Sequence, residues 1–99
     1  MLTDEEEQDL LVRAVNGDLK ATGKVLYANL RFTVSLSNQY QHKGLSLFQL
    51  FEASIQGLAD AIMESTAKPQ DEKFIKFAVP FMHHSIEEVI SSLDNCSKV

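Results

Sequence analysis

An all-α fold, a compact bundle of about four helices with no sheet, is what this 99-residue chain predicts. Three observations carry that expectation. Apolar residues recur at helical spacing through most of the chain, Thr3 and Ser46 each open a capping box, and no stretch alternates with the two-residue period of a strand. The length allows one domain, residues 1–99, in which folding should bury on the order of 60 to 65% of the extended chain's surface. An apolar content of 44% and a charged content of 23% suit a soluble globular core, and nothing is repeated or low in complexity.

Thr3 with Glu6 three residues on starts the first helix, and Leu10, Leu11, Ala14 and Val15 share one face up to Gly17. The acidic run Asp4 to Glu7 suits the positive end of that helix, the alternative being a contact with a basic partner. Asp18 caps a second helix running to about Tyr40, with Leu19, Leu26, Leu30, Thr33, Val34 and Ser37 facing inward. Gly23 inside it costs about 1 kcal/mol relative to alanine, which predicts close helix packing there.

Gly44 ends that segment, and Ser46 with Gln49 opens a third helix. Leu47, Leu50, Phe51, Ser54, Ile55, Leu58 and Ile62 form its apolar stripe, leaving Gln49, Glu52, Ala53, Gln56 and Asp60 outside. The polar stretch 65–72, with Pro69, reads as a loop. A fourth helix follows on Phe74, Phe77, Ala78, Phe81, Met82, Ser85, Ile86, Val89, Ile90 and Leu93. Pro80 must lie near its first turn or kink it, and the residues after Leu93 should fray. Leu50, Phe51, Ile55, Leu58, Phe77, Phe81, Ile86 and Val89 are the expected core.

The net charge of −5 disfavours a long-range pull on DNA, since phosphate neutralisation by Lys and Arg supplies most nucleic-acid affinity. From residue 50 onward eight acidic residues face only Lys68, Lys73, Lys76 and Lys98, with no arginine. The single cysteine, Cys96, needs no oxidising compartment, and no apolar run approaches the roughly 20 residues that span a bilayer, so the expected location is the cytoplasm. His83 and His84 are adjacent and point about 100° apart on a helix, so they cannot form the i, i+4 pair of a helical metal site. With His42 remote, no glycine-rich phosphate loop and no serine elbow, the expectation is no enzyme, no catalytic residue, no metal and no cofactor.

The run from 28 to 62 carries a more specific signal. Ala28-Asn29-Leu30-Arg31-Phe32 is similar to an NLR motif, Gln39 to Leu47 to a helix-loop-helix turn, and Gly57-Leu58 to a G-L pair; together they resemble the sigma-70 family of bacterial RNA polymerase sigma factors, of the primary type. Thr3 to Glu7 leading to Gly17-Asp18, then Lys73-Phe74-Ile75 with Phe77-Ala78-Val79, then Ser85-Ile86, agree in order, so the resemblance covers roughly residues 2 to 90. It implies a helix like the family's region 1.2 over 1–17, a core like region 2 over 18–94, and a tail at 95–99. The downstream part that reads the −35 element has no counterpart here, as expected of either a piece of a longer protein or a short paralogue.

The resemblance also implies partners. The third helix should meet the clamp of core RNA polymerase through Gln49, Glu52, Ala53 and Gln56, where the family's D-L-I-Q-E-G run stands; only Glu52 keeps a carboxylate, displaced by one position. The fourth helix should face opened promoter DNA, with Phe74, Phe77, Phe81 and His84 as candidates beside Asn29, Arg31 and Tyr40 of the second. The competing reading makes the three phenylalanines simply core. Pro80-Phe81 replaces the family's tryptophan pair, His83-His84 its Arg-Gln, and Glu88, next to Glu87, a later arginine. The implied function is transcription initiation through polymerase with weakened −10 recognition and weak promoter binding. The alternatives are a decoy or adaptor that occupies polymerase or an anti-sigma-type regulator without opening promoters, and a helical interaction module, for instance a dimer. No membrane partner is implied.

Overall fold

The helix starts follow from side-chain caps. In the computed structural model, which describes residues 2–69 and 72–97, α1 (Asp4–Val15) begins at Thr3, whose hydroxyl accepts from the Glu6 N–H while the Glu6 carboxylate accepts from the Thr3 N–H. The Thr3 backbone N–H, and then the Thr3 side chain, hold the Glu6 carboxyl below its ordinary value. Asp18 caps α2 (Leu19–Ala28) by accepting from the N–H groups of Lys20 and Ala21. Ser46 and Gln49 form the capping box of α4 (Leu47–Met63).

The segment expected to be one helix from Asp18 to Tyr40 is two, so the described residues hold five α-helices rather than four, and no strand. Asn29 makes the break between α2 and α3 (Leu30–Gln39). It sits at φ −107°, ψ 10°, its backbone N–H reaches back only three residues to Leu26 O, and its buried side chain donates to Val25 O at 2.8 Å. An asparagine amide that bonds the backbone locally competes with the helical ladder in this way. The break resets the helical phase. Thr33, Leu36 and Ser37 face the interior, whereas Leu19, Leu30 and Val34, expected inside, are exposed. Gly23 is exposed with open space around it, so the close packing expected there is absent.

That close approach occurs instead between α4 and α5 (Phe74–Ser97), the most extensive helix pair in the fold. A Cβ on Gly57 would lie 2.6 Å from both Met82 Cα and Phe81 O. The core gathers Leu10, Leu11 and Ala14 of α1, Ala21 and Val25 of α2, and Leu36 of α3 around Leu50, Leu58 and Ile62 of α4. From α5 come Phe74, Ala78, Met82 and Ile86. Ser37 and Ser54, both buried, place their hydroxyls 3.3 Å apart and join α3 to α4.

Several expected core positions shift outward. Phe51, Phe77 and Phe81 are half-buried, as is Ile55. Val89 is exposed because the inward stripe of α5 advances by fours, from Met82 through Ile86 to the partly buried Ile90. Leu47 is likewise half-exposed in the first turn of α4.

Pro80 lies beyond the first turn, as the seventh residue of α5, and the helix continues through it. Its ring removes the donor that would meet the Lys76 carbonyl. Both residues are on the exposed side, where water can replace that donor. The stretch 65–72 opens as a 3-10 turn, Ser65–Ala67, and not wholly as loop; Gln70 and Asp71 lie outside the described residues. Beyond Leu93, where fraying was expected, α5 extends as helix to Ser97. Lys98 and Val99 of the expected tail lie outside the described part.

Candidate functional site

Two faces collect some of the residues that the sequence singles out. On the first turns of α4, the capping box folds the Gln49 side chain back onto the Ser46 N–H at 2.9 Å. Glu52 is exposed one turn later, and Gln56 is exposed with its amide donating to Asp60 Oδ1 at 3.1 Å. Ala53 is only 5% exposed and packs in the core, which corrects its expected place on the outer side. A small apolar residue fits either side of an amphipathic helix, so its direction is decided by what packs against it.

Phe48 fills a place on this face that was not assigned from sequence. It is 69% exposed and, with the half-exposed Leu47, Val34, Ser37 and the half-buried Phe51, lines an open apolar groove of about 310 Å³ between α3 and α4. Helical phase gives the reason: Phe48, Glu52 and Gln56 follow one another by fours along a single exposed stripe.

The expected nucleic-acid residues do not form one surface. Asn29 is buried and holds the α2–α3 junction. Phe74 is fully buried in the core, so no base can stack on it. Phe77 and Phe81 are half-buried and tilted against each other, with ring centroids 5.1 Å apart. Arg31 is exposed on α3. His84 is exposed on α5, where its Nε2 lies 3.0 Å from Glu88 Oε1.

Tyr40 has partners that its position in the sequence did not reveal. At the end of α3 its hydroxyl lies 2.7 Å from His83 Nδ1 and 3.3 Å from Glu87 Oε1, both on α5, and its ring meets the His83 ring edge-on at 5.8 Å. A single phenolic proton can serve one acceptor at a time, so donation to Glu87 requires His83 to supply an Nδ1–H to the phenol. Burial, and then the Glu87 charge, push the Tyr40 hydroxyl above its ordinary pKa. The only sequence signal for this cluster is the i, i+4 spacing of His83 and Glu87, which puts them on one side of α5.

Among the described residues no cluster of His, Cys, Asp and Glu has the makings of a metal site, and no helix is long and apolar enough to cross a membrane. The two faces therefore offer contact chemistry: an apolar groove edged by amides and a carboxylate on α4, and a mixed aromatic, imidazole and carboxylate surface on α5.

No protein-family model matches the chain. Among curated proteins, the RNA polymerase sigma factor SigA of Clostridium acetobutylicum is 33% identical over 91 residues, which is 92% of this chain and 24% of that relative. The RNA polymerase sigma factors SigA of Listeria monocytogenes and Listeria innocua are each 31% identical over 91 residues, with the same coverage. The chain spans about a quarter of the length of the curated relatives it matches.

Proposed function

We propose, given that 92% of this chain aligns with the RNA polymerase sigma factor SigA at 33% identity, that it is a sigma-70 family, non-enzymatic transcription-initiation module that docks on core RNA polymerase through the outer side of α4. The observation that carries this reading is the exposed stripe Phe48, Glu52 and Gln56, with Gln49 beside it and the apolar groove along its edge. An exposed aromatic anchor surrounded by polar groups has the make-up of a protein–protein contact. Ala53 has no part in it, being buried.

Promoter DNA is the weaker partner in this proposal. Arg31, Phe77, Phe81 and His84 remain accessible in whole or part, but Phe74 and Asn29 are withdrawn into the fold and Glu87 and Glu88 stand on the same helix as the aromatics. Those acids also favour the second reading, a decoy or adaptor that occupies polymerase, or an anti-sigma-type regulator, without opening promoters.

Co-purification with core polymerase at low salt tests the docking. The parent chain should be retained, Phe48→Ser and Glu52→Lys should each reduce retention, and Gln49→Asp should increase it. No retention of the parent would remove the polymerase reading, and opening of a promoter by the reconstituted complex would decide against the decoy.

A further inference from the structure

The groove between α3 and α4 carries a knob and a socket on one face. Its lining, Val34, Ser37, Leu47, Phe48 and Phe51, holds no charge, and the Phe48 ring is bare beside about 310 Å³ of open space. Leu30, exposed one turn before Val34, extends the apolar strip along α3. A contiguous exposed apolar patch with a polar edge marks a contact with another macromolecule. The two walls differ in sign. Arg31 stands one turn before Val34 on α3, and Glu52 stands one turn after Phe48 on α4, so each wall bears a single charge beside the groove. Both side chains are exposed, and among the described residues neither is in an ion pair.

We propose that this face pairs with a second copy of the chain about a two-fold axis, each Phe48 entering the groove of the other copy. In such a contact the same patch serves both protomers, so that a residue i of one meets residue j of the other and the reverse. Glu52 of one protomer then faces Arg31 of the other, twice. The charge pattern selects the occupant. A basic partner would satisfy Glu52 and oppose Arg31, and an acidic partner would do the reverse, whereas a rotated copy answers both at once. The net charge of −5 repels copies that meet elsewhere, which favours the face where the apolar lining is neutral and its two flanking charges are opposite. The pairing covers the stripe of Phe48 and Glu52, so a paired protomer cannot also offer it to polymerase. That consequence rests on the docking proposed above; the pairing itself does not.

Sedimentation equilibrium of the purified whole chain, with no polymerase present, tests the pairing and keeps it separate from the docking. The parent should pass from monomer to dimer as its concentration rises through the micromolar range, and no further, because a two-fold contact closes on itself. Phe48→Ser should raise the dissociation constant about tenfold or more, as the loss of a central aromatic anchor does. Arg31→Glu and Glu52→Arg should each weaken the dimer, since each sets like charges against one another across the contact. Mixed in equal amounts, those two variants should associate nearly as well as the parent, because both cross-pairs are again of opposite sign. A variant that merely misfolds cannot be rescued in this way. The proposal is overturned if the parent stays monomeric into the millimolar range, which would leave the groove to the helix of a different protein. It is also overturned if Phe48→Ser dimerises as the parent does, or if the mixture associates no better than either charge variant alone.

Discussion

The carboxylate of Glu7 accepts a hydrogen bond from the backbone N–H of Phe74 at 3.0 Å, so a side chain of α1 caps the start of α5 across 67 positions of sequence. The first turn of α5 contains no acidic residue of its own, and a carboxylate near the positive end of its dipole is favourable. Glu7→Ala should lower stability by about 1 kcal/mol, the usual worth of a helix cap, and Glu7→Gln by less because an acceptor remains. Urea denaturation gives both values. Equal stability of Glu7→Ala and the parent would show that the cap contributes nothing.

Two glycines within helices should respond to alanine with opposite signs. At Gly57 the added Cβ would lie 2.6 Å from backbone atoms of Phe81 and Met82, which cannot swing aside as a side-chain tip can. Gly57→Ala should therefore force α4 and α5 apart and cost at least the roughly 1 to 3 kcal/mol of ordinary overpacking. Gly23→Ala meets open space and should stabilise by up to about 1 kcal/mol through helix propensity. Thermal melts of the two variants should move in opposite directions from the parent.

These glycines also show what the sequence could and could not disclose. Both sit in helical segments with little local signal to tell them apart; which one meets a neighbouring backbone depends on where α5 crosses. The starts at Thr3 and Ser46 were legible because a capping box is a contact among residues three apart. The break at Asn29 was not, since asparagine also occurs within helices and the deciding bond to Val25 O is one of several it can make. That single break accounts for the misplacement of Leu30 and Val34. At the candidate site, Glu52 and Gln56 were readable as an outer stripe from helical phase. Phe48 shares that phase, but the groove beside it was not readable, because its other wall is Val34 and Ser37 of α3, more than ten positions away in sequence. The partners of Tyr40 lie 43 and 47 positions away, beyond the reach of any local pattern.

The Tyr40 hydroxyl should ionise above the ordinary tyrosine value of 10.0, because burial and then the Glu87 charge oppose the phenolate. A group whose folded pKa is raised contributes stability that is present below its unfolded pKa and is lost as pH rises through the folded one. Folding stability should therefore fall as pH climbs past about 10, and Tyr40→Phe should remove that part of the decline. Phenolate absorbance in a Tyr27→Phe background, where Tyr40 is the single tyrosine, follows the ionisation directly. Glu87→Gln should shift the transition downward while leaving the contribution from burial. A midpoint unaffected by Glu87→Gln would mean that the charge of Glu87 has no influence on the phenol.

The acids of α5 should limit its affinity for opened DNA, though not in the same way. Glu88 is exposed and lies 3.0 Å from His84 Nε2, so its carboxylate engages a ring nitrogen that could otherwise face a phosphate and adds negative charge beside it. Glu88→Lys should raise affinity for a single strand carrying a −10-like sequence and steepen the salt dependence by roughly one phosphate contact, with the fold unchanged. Adding Glu87→Lys should raise affinity further, but it also removes an acceptor of Tyr40 and should lower stability, by about 0.5 to 1.5 kcal/mol for one lost hydrogen bond. Anisotropy against a scrambled strand of equal length separates sequence reading from general attraction, and urea denaturation reports the stability change. Sub-micromolar, sequence-selective binding by the unmodified chain at physiological salt would contradict this account, since it would require the partly buried Phe77 and Phe81 to read bases despite both carboxylates.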